Sequence, residues 1–345
     1  MQDNDPEQLA ELITPRQAVQ QFFNAKRGTI KDSSLRSYKY PTKHFVEYCE
    51  EHGIETVSEI NGHVLESWKE QRRREDIKLI TVHNNAKHLR VFVKYLERRE
   101  LLDQGTHQLM DVPTVPEEQA VSSDTLRLDQ AEQTLRYLNT YEYGSRHHAL
   151  FKTLWHTGCR ISGALALDVS DFVTNSTEPI LKFRNRKATG TPLKNGNKSE
   201  RNVSIDDSLV QVLTDYLSID RDDVEDDFNR QPLFTTSAGR LRRQVAYDSL
   251  VPRTRPCKTV GKCPHNRQEE HCEAAQDVEK APSCPSTVSL HPIRRGSITY
   301  HIDRGWPKET LSERVDVSID VLEKHYDART HEQKRQKRKE YLDLL

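Results

Sequence analysis

The sequence has no charge bias. Its 52 Lys and Arg stand against 53 Asp and Glu, a formal net charge of −1 over 345 residues. Global attraction therefore recruits neither nucleic acid nor membrane, and any polyanion site has to come from local clustering. No apolar run approaches the roughly 20 residues that cross a bilayer, and the opening MQDNDPEQLAELITP has no basic-then-apolar leader pattern. A Gly-rich phosphate-cradling motif, a paired-carboxylate site and an internal repeat are all missing, which argues against ATP-driven and two-carboxylate chemistry. These absences predict a cytoplasmic protein with no membrane partner.

What is present is a very polar chain with enough aromatic residues for real cores: 30% charged, 34% apolar, 12 Tyr and 9 Phe, at a mean hydropathy of −0.84. Its length exceeds one typical domain, so two are expected. Charge is segregated locally. QRRRED (Gln71 to Asp76) and RTHEQKRQKRKE (Arg329 to Glu340) are basic, whereas SIDRDDVEDD (Ser218 to Asp227) is acidic.

Residues 1–102 read as an all-α domain. Four segments from Thr14 onward repeat apolar residues every 3.6 positions, beginning with Pro15 at a helix start and Ala18, Val19, Phe22 and Phe23 on one face. Residues 103–125, with DVPTVPEE, lack periodicity and read as a linker. Residues 126–345 read as mainly helical with a small antiparallel sheet: PILKFRN and RNVSI flank a basic, Gly-containing tip, KATGTPLKNGNKSE, as a hairpin would. PLFTTSAGR adds a short strand and turn, and about 251–289 reads as an insertion.

Three distant stretches carry chemistry. HTGCRISGALALDVSDF (His156 to Phe172) puts Arg160 at the mouth of an apolar helix, where a cation needs a partner. LHPIRRGSITYHIDRG places His291 and Arg294 three apart, on one helical face. LEKHYD presents Tyr326 after an amphipathic turn. Two guanidinium forks can neutralise a phosphodiester as charge builds up. A Lys from the hairpin tip can protonate a leaving alkoxide and a His can shuttle a proton. A Tyr phenol becomes a competent nucleophile when neighbouring cations favour the phenolate. Taken singly, an HxxR pair reads as a solvated helix face and a late Tyr as packing; their order and company give them weight.

The set resembles the tyrosine recombinases of the phage integrase family, most of all archaeal and haloarchaeal integrases, over nearly the whole chain. HTGCRISGALALDVSDF resembles the first Arg box, HPIRRGSITYHIDRG the HxxR box, VDVSIDVLEKHYD the nucleophile box and TPLKNGNKSERNVSI the lysine hairpin. The resemblance implies a SAM-like core-binding domain, an α+β catalytic domain, and Arg160, Lys194, His291, Arg294 and Tyr326 as the catalytic set. Lys187 and Lys198 compete with Lys194 because the hairpin tip is long. Two positions depart from the family pattern. Gly163 stands where an acidic residue is usual, so an orienting carboxylate is missing or supplied elsewhere. Val317 stands where His or Trp is usual, with His325 a possible substitute.

The implied activity is site-specific DNA cleavage and rejoining through a 3′-phosphotyrosyl link, with no cofactor required for catalysis. The implied partners are double-stranded DNA, held between the two domains, and three further protomers in a homo-tetramer on paired sites. Arg72, Arg73, Arg74, Lys87, Arg90, Lys94, Arg184 and Arg186 are the candidate phosphate contacts. A non-catalytic DNA-binding protein with a degenerate site and a type IB-like topoisomerase are the alternatives. Cys257, Cys263, Cys272 and Cys284 fall within 28 residues, and in a cytosolic chain they are candidate ligands for a structural Zn. They lack a tight CxxC pair, which leaves free cysteines in a loop as the other reading. Cys49 and Cys159 read as buried thiols.

Overall fold

The computed structural model describes residues 6–30, 32–116, 119, 124–174, 178–326, 335 and 339. The basic tail, Arg329 to Glu340, falls almost entirely outside them. Two compact units divide between Ser122 and Ser123. Among the described residues, no helix is long and apolar enough to cross a membrane.

The first unit contains α1 (Pro6–Ala10), α2 (Pro15–Lys26), α3 (Asp32–Glu51), α4 (Gly62–Arg74) and α5 (Leu79–Arg98). Thr14 caps α2 in a capping box with Gln17, next to the N-terminal proline. Asn61 caps α4 by accepting from the Val64 N–H. The apolar faces meet on Phe22, which lies edge-to-face with Phe23, Tyr38, Phe92 and Tyr95 at centroid separations of 5.4–5.6 Å.

The expected linker is corrected at its start. Met110 is fully buried in this core and Val112 packs on it. Arg90 donates through Nε and Nη2 to the Met110 carbonyl at 2.9 and 2.6 Å, and the buried Glu97 carboxylate accepts the His107 N–H at 2.6 Å. Backbone groups of an aperiodic segment still need partners, and here side chains of α4 and α5 provide them.

The second unit is built on α7 (Arg146–Thr157), most of whose side chains are buried. Against it pack α6 (Leu128–Tyr141), α9 (Asp207–Ile219) and α13 (Leu290–Asp303). The short α8 (Ile161–Leu165) follows α7 directly. A three-stranded antiparallel sheet, β1 (Phe172–Val173), β2 (Ile180–Phe183) and β3 (Arg201–Ser204), runs in that order, with Leu181 paired to Val203. The expected hairpin is β2 and β3. PLFTTSAGR forms a hairpin of its own, β4 (Thr235–Thr236) and β5 (Gly239–Arg240). Then come α10 (Arg243–Leu250), the short α11 (Pro256–Val260) and α12 (Glu273–Gln276) in the insertion, and finally α14 (Lys308–Val315) and α15 (Ile319–His325). The last two helices close on α13 through Ile298, Ile302, Leu311, Val315 and Leu322.

A largely buried ion network fixes the base of the β2–β3 hairpin. Asp171 accepts both guanidinium nitrogens of Arg186 at 2.6 and 2.8 Å. Asp226 accepts Arg230 and Arg240 at 2.7 Å each, and Asp168 pairs with Arg240. Removing one member of such a network strands a buried charge.

The segment entering this unit crosses α13 at Gly296. The Leu126 N–H donates to the Pro292 carbonyl at 3.1 Å, and a Cβ on Gly296 would lie 2.1 Å from the Leu126 carbonyl oxygen. Gly296→Ala should therefore cost about 1–3 kcal/mol through overpacking. That corresponds to a melting temperature lower by roughly 2–12 °C in a unit of this size. Thermal denaturation checks it, and an unchanged midpoint would show that the crossing relaxes freely.

Candidate active site

The turn that ends α7 delivers the first guanidinium. Gly158 closes the helix in the left-handed region at φ 59°, and a Cβ there would sit 2.9 Å from Val315 Cγ1 and 3.2 Å from Ser297 Oγ. The TGCR turn thus packs against α13 and α14, and Arg160 follows at once as the N-cap of α8. Its partner within the chain is Asp316, whose Oδ2 accepts from Arg160 Nη1.

Arg294 comes from α13 and is 2% exposed. Its Nη1 donates to the Gly158 carbonyl at 2.8 Å and its Nη2 to the Asp316 carbonyl at 3.4 Å. Burial lowers its pKa to about 10, the Arg160 charge pushes the same way, and the Tyr326 phenol pulls back. Arg294 therefore stays cationic at pH 7, and it shares Asp316 with Arg160. Arg201 is a third largely buried cation, donating to the Arg314 carbonyl at 2.7 Å and the Ser199 carbonyl at 2.9 Å, with its guanidinium 4.3 Å from the Phe183 ring centroid. Among the described residues, neither Arg294 nor Arg201 forms an ion pair with a carboxylate. Such a cluster is undersupplied with negative charge and suits an anion.

Tyr326 is the C-cap of α15, is buried, and packs with Ile298, Ile302 and Leu322. His291 lies on the first turn of α13 and stays open to solvent. Partial burial, then the charges of Arg295, Arg294 and Arg160, hold its imidazole below the ordinary value. Lys194 lines one small pocket with Arg160, Ser199, Arg201 and Asp316. Lys187 and Lys198 are exposed elsewhere on the hairpin. Of the five expected residues, Arg160 and Lys194 thus share one pocket wall, and Arg160 and Arg294 share Asp316 as acceptor.

The two departures resolve differently. A Cβ at Gly163 would only touch the Phe183 ring at 3.5 Å, and the carboxylate on Arg160 arrives from Asp316. Val317 packs on the apolar cluster that holds Tyr326. His325 is exposed at the end of α15. Arg201 and Asp316 escaped sequence reasoning. A hairpin Arg looks like any surface base, and nothing local in RVDVS marks an Asp that reaches across the fold.

Several basic candidates already have partners within the chain. Arg72 is buried, pairs with Glu75 and donates to the Tyr40 hydroxyl at 3.1 Å. Arg90 and Arg186 are engaged by the Met110 carbonyl and by Asp171. Arg184 donates to the Arg201 carbonyl at 3.1 Å and to Asn202 Oδ1 at 2.6 Å. Arg73, Arg74, Lys87 and Lys94 are exposed, and Arg73 also pairs with Glu70 at 3.2 Å. Burial raises the pKa of the Cys257 thiol, with Cys284 and Cys263 among the neighbours that push the same way. Cys257, Cys263 and Cys272 are half-buried and Cys284 buried, all as free thiols, and among the described residues no three His, Cys, Asp or Glu side chains converge as metal ligands.

No family model matches the chain. Among curated proteins, it is 21% identical over 316 residues to a probable integrase/recombinase of Methanocaldococcus jannaschii, covering 89% of this chain and 84% of that one. It is 24% identical over 233 residues to the tyrosine recombinase XerD of Oceanobacillus iheyensis, covering 66% and 73%. Among solved structures, the Tn1549 transposon integrase in complex with a circular intermediate DNA aligns over 95% of this chain and 99% of its own, with a TM-score of 0.63 and 16% identity. The XerH site-specific recombinase in a post-cleavage complex with a palindromic difH substrate aligns over 96% and 85%, also at 0.63 and 16%. The fold is that of the tyrosine recombinases. The chain resembles their integrase and Xer members in sequence as well.

At pH 7 the His291 imidazole is neutral. An NMR titration should place its midpoint below 6.5, and Arg160→Ala, by removing one like charge, should raise it. A wild-type midpoint above 6.5 would contradict the placement of these cations.

Proposed function

We propose that this chain is a site-specific DNA strand transferase that works through Tyr326. The observation that carries the reading is the joining of Arg160 and Arg294 through Asp316, whose carboxylate accepts from the first and whose carbonyl accepts from the second, with Tyr326 packed on Ile298 and Ile302 of the helix that bears Arg294. Arg160 and Arg294 hold the non-bridging oxygens of a DNA phosphodiester and stabilise charge as it develops on phosphorus. The Tyr326 oxygen attacks phosphorus as the 5′-oxygen leaves. The phenolic proton is lost, a proton returns to the departing 5′-oxygen, and a 3′-phosphotyrosyl bond replaces the broken phosphodiester bond. Lys194, on the pocket wall beside Arg160, donates to the leaving oxygen. His291, neutral at pH 7, accepts and returns a proton.

The covalent link conserves the bond's free energy, so a 5′-hydroxyl reseals the strand in reverse. None of these steps draws on ATP or metal. Exchange between duplexes requires four strands to be cut, which calls for a homo-tetramer on paired sites. Arg73, Arg74, Lys87 and Lys94 supply phosphate contacts whose binding weakens steeply with salt.

Nicked duplexes with randomised sequence around the nick provide the test. A nick close to the cleavage point releases a short fragment and traps the covalent intermediate. The wild-type chain should accumulate a protein–DNA adduct, with the DNA mapped to Tyr326, and Tyr326→Phe should form none while still binding duplex. DNA binding with no adduct from either chain would favour a non-catalytic DNA-binding protein, the reading that Val317 supports. Relaxation of supercoils without joining of separate duplexes would favour a topoisomerase.

A further inference from the structure

Asp316 is the C-cap of α14 and sits in the left-handed region, at φ 55° and ψ 60°. Asp tolerates that conformation better than most residues, though less well than glycine. Its side chain is largely buried, and its donors come from two other segments. Oδ2 accepts from Arg160 at the start of α8 and from Ser199 Oγ at 2.8 Å, and Oδ1 accepts from Asn195 Nδ2 at 3.3 Å. Asn195 and Ser199 lie on the hairpin tip that bears Lys194. The Asp316 carbonyl accepts from Arg294. Ten residues further along the same chain is Tyr326.

We propose that Asp316 is the positioning residue of this site: one residue whose carboxylate orients Arg160 and the Lys194 hairpin, and whose carbonyl orients Arg294. The proposal rests on the strand-transfer reading above. The geometry gives it a specific content. Arg160 is held through one face of its guanidinium, which leaves its remaining N–H groups for a phosphate oxygen. Asn195 and Ser199 both follow Lys194 within five residues and are both tied to the same carboxylate, so the hairpin tip cannot drift from Arg160 without breaking those bonds. The neutral residue Asn could keep one acceptor and the left-handed backbone. Ala keeps neither acceptor, and Gly keeps only the backbone, with its strain relieved.

The experiment compares Asp316→Asn, Asp316→Ala and Asp316→Gly with wild type on a nicked duplex that wild type cleaves. It measures the single-turnover rate of adduct formation at saturating DNA, the dissociation constant for that duplex, and the melting temperature. Asp316→Ala and Asp316→Gly should form adduct about 10–100-fold more slowly, with dissociation constants within about threefold of wild type. Asp316→Asn should recover part of the rate. Asp316→Gly has the natural residue for this backbone, so its loss of rate at an unchanged melting temperature cannot come from unfolding. Rates within twofold of wild type for Ala and Gly would overturn the proposal. So would a faster reaction, because the carboxylate would then be a competitor for the phosphate. An active wild type with indifferent variants sinks this proposal alone, whereas a wild type that forms no adduct sinks the strand-transfer reading and this proposal with it.

Discussion

A guanidinium taken out of water with only carbonyl oxygens for company is the constraint on which the second unit turns. Arg294 is such a group, and Arg160 adds a like charge beside it. Two close cations repel, and burial makes that repulsion costlier because the medium screens it less. The surrounding structure meets this cost by aiming the Gly158 carbonyl at one cation, the Asp316 carboxylate at the other and the Asp316 carbonyl back at the first. What it leaves is a centre short of one more anion. A backbone phosphate has the charge and shape to be that anion.

The elements that hold this centre are each shaped by close approach. The turn after α7 must be Gly158 both for its backbone angle and because Val315 and Ser297 leave no room for a Cβ. That contact sets α14 against the turn, and α14 ends on Asp316. The hairpin base is pinned separately, by the ion network of Asp168, Asp171 and Asp226 with Arg186, Arg230 and Arg240. One face of the unit therefore contributes rigidity and another contributes charge, and they meet at the hairpin tip.

The catalytic candidates stand out in the sequence because their types are rare together: TGCR, HPIRR and a late Tyr form an ordered set that packing alone does not demand. The helices of the first unit were legible from the 3.6-residue period, with Ala18 and Phe22 buried on the expected face. Reading failed where tertiary partners decide. Arg72, Arg90 and Arg186 look like free bases in a string of letters, yet a Glu, a carbonyl and an Asp claim them. Residues 103–113 have no periodicity, yet Met110 is buried, because an irregular segment can pack when side chains satisfy its backbone. Asp316 was invisible for the opposite reason: it sits at a helix end like many others, and only the fold brings Arg160, Asn195 and Ser199 to it.

The crossing at Gly296 also sets a mechanical path. The strand of chain around Leu126 is wedged onto α13 so tightly that not even a methyl group fits between them, and α13 bears both His291 and Arg294. A displacement of the backbone at Leu126 is therefore passed directly to the helix that carries His291 and Arg294.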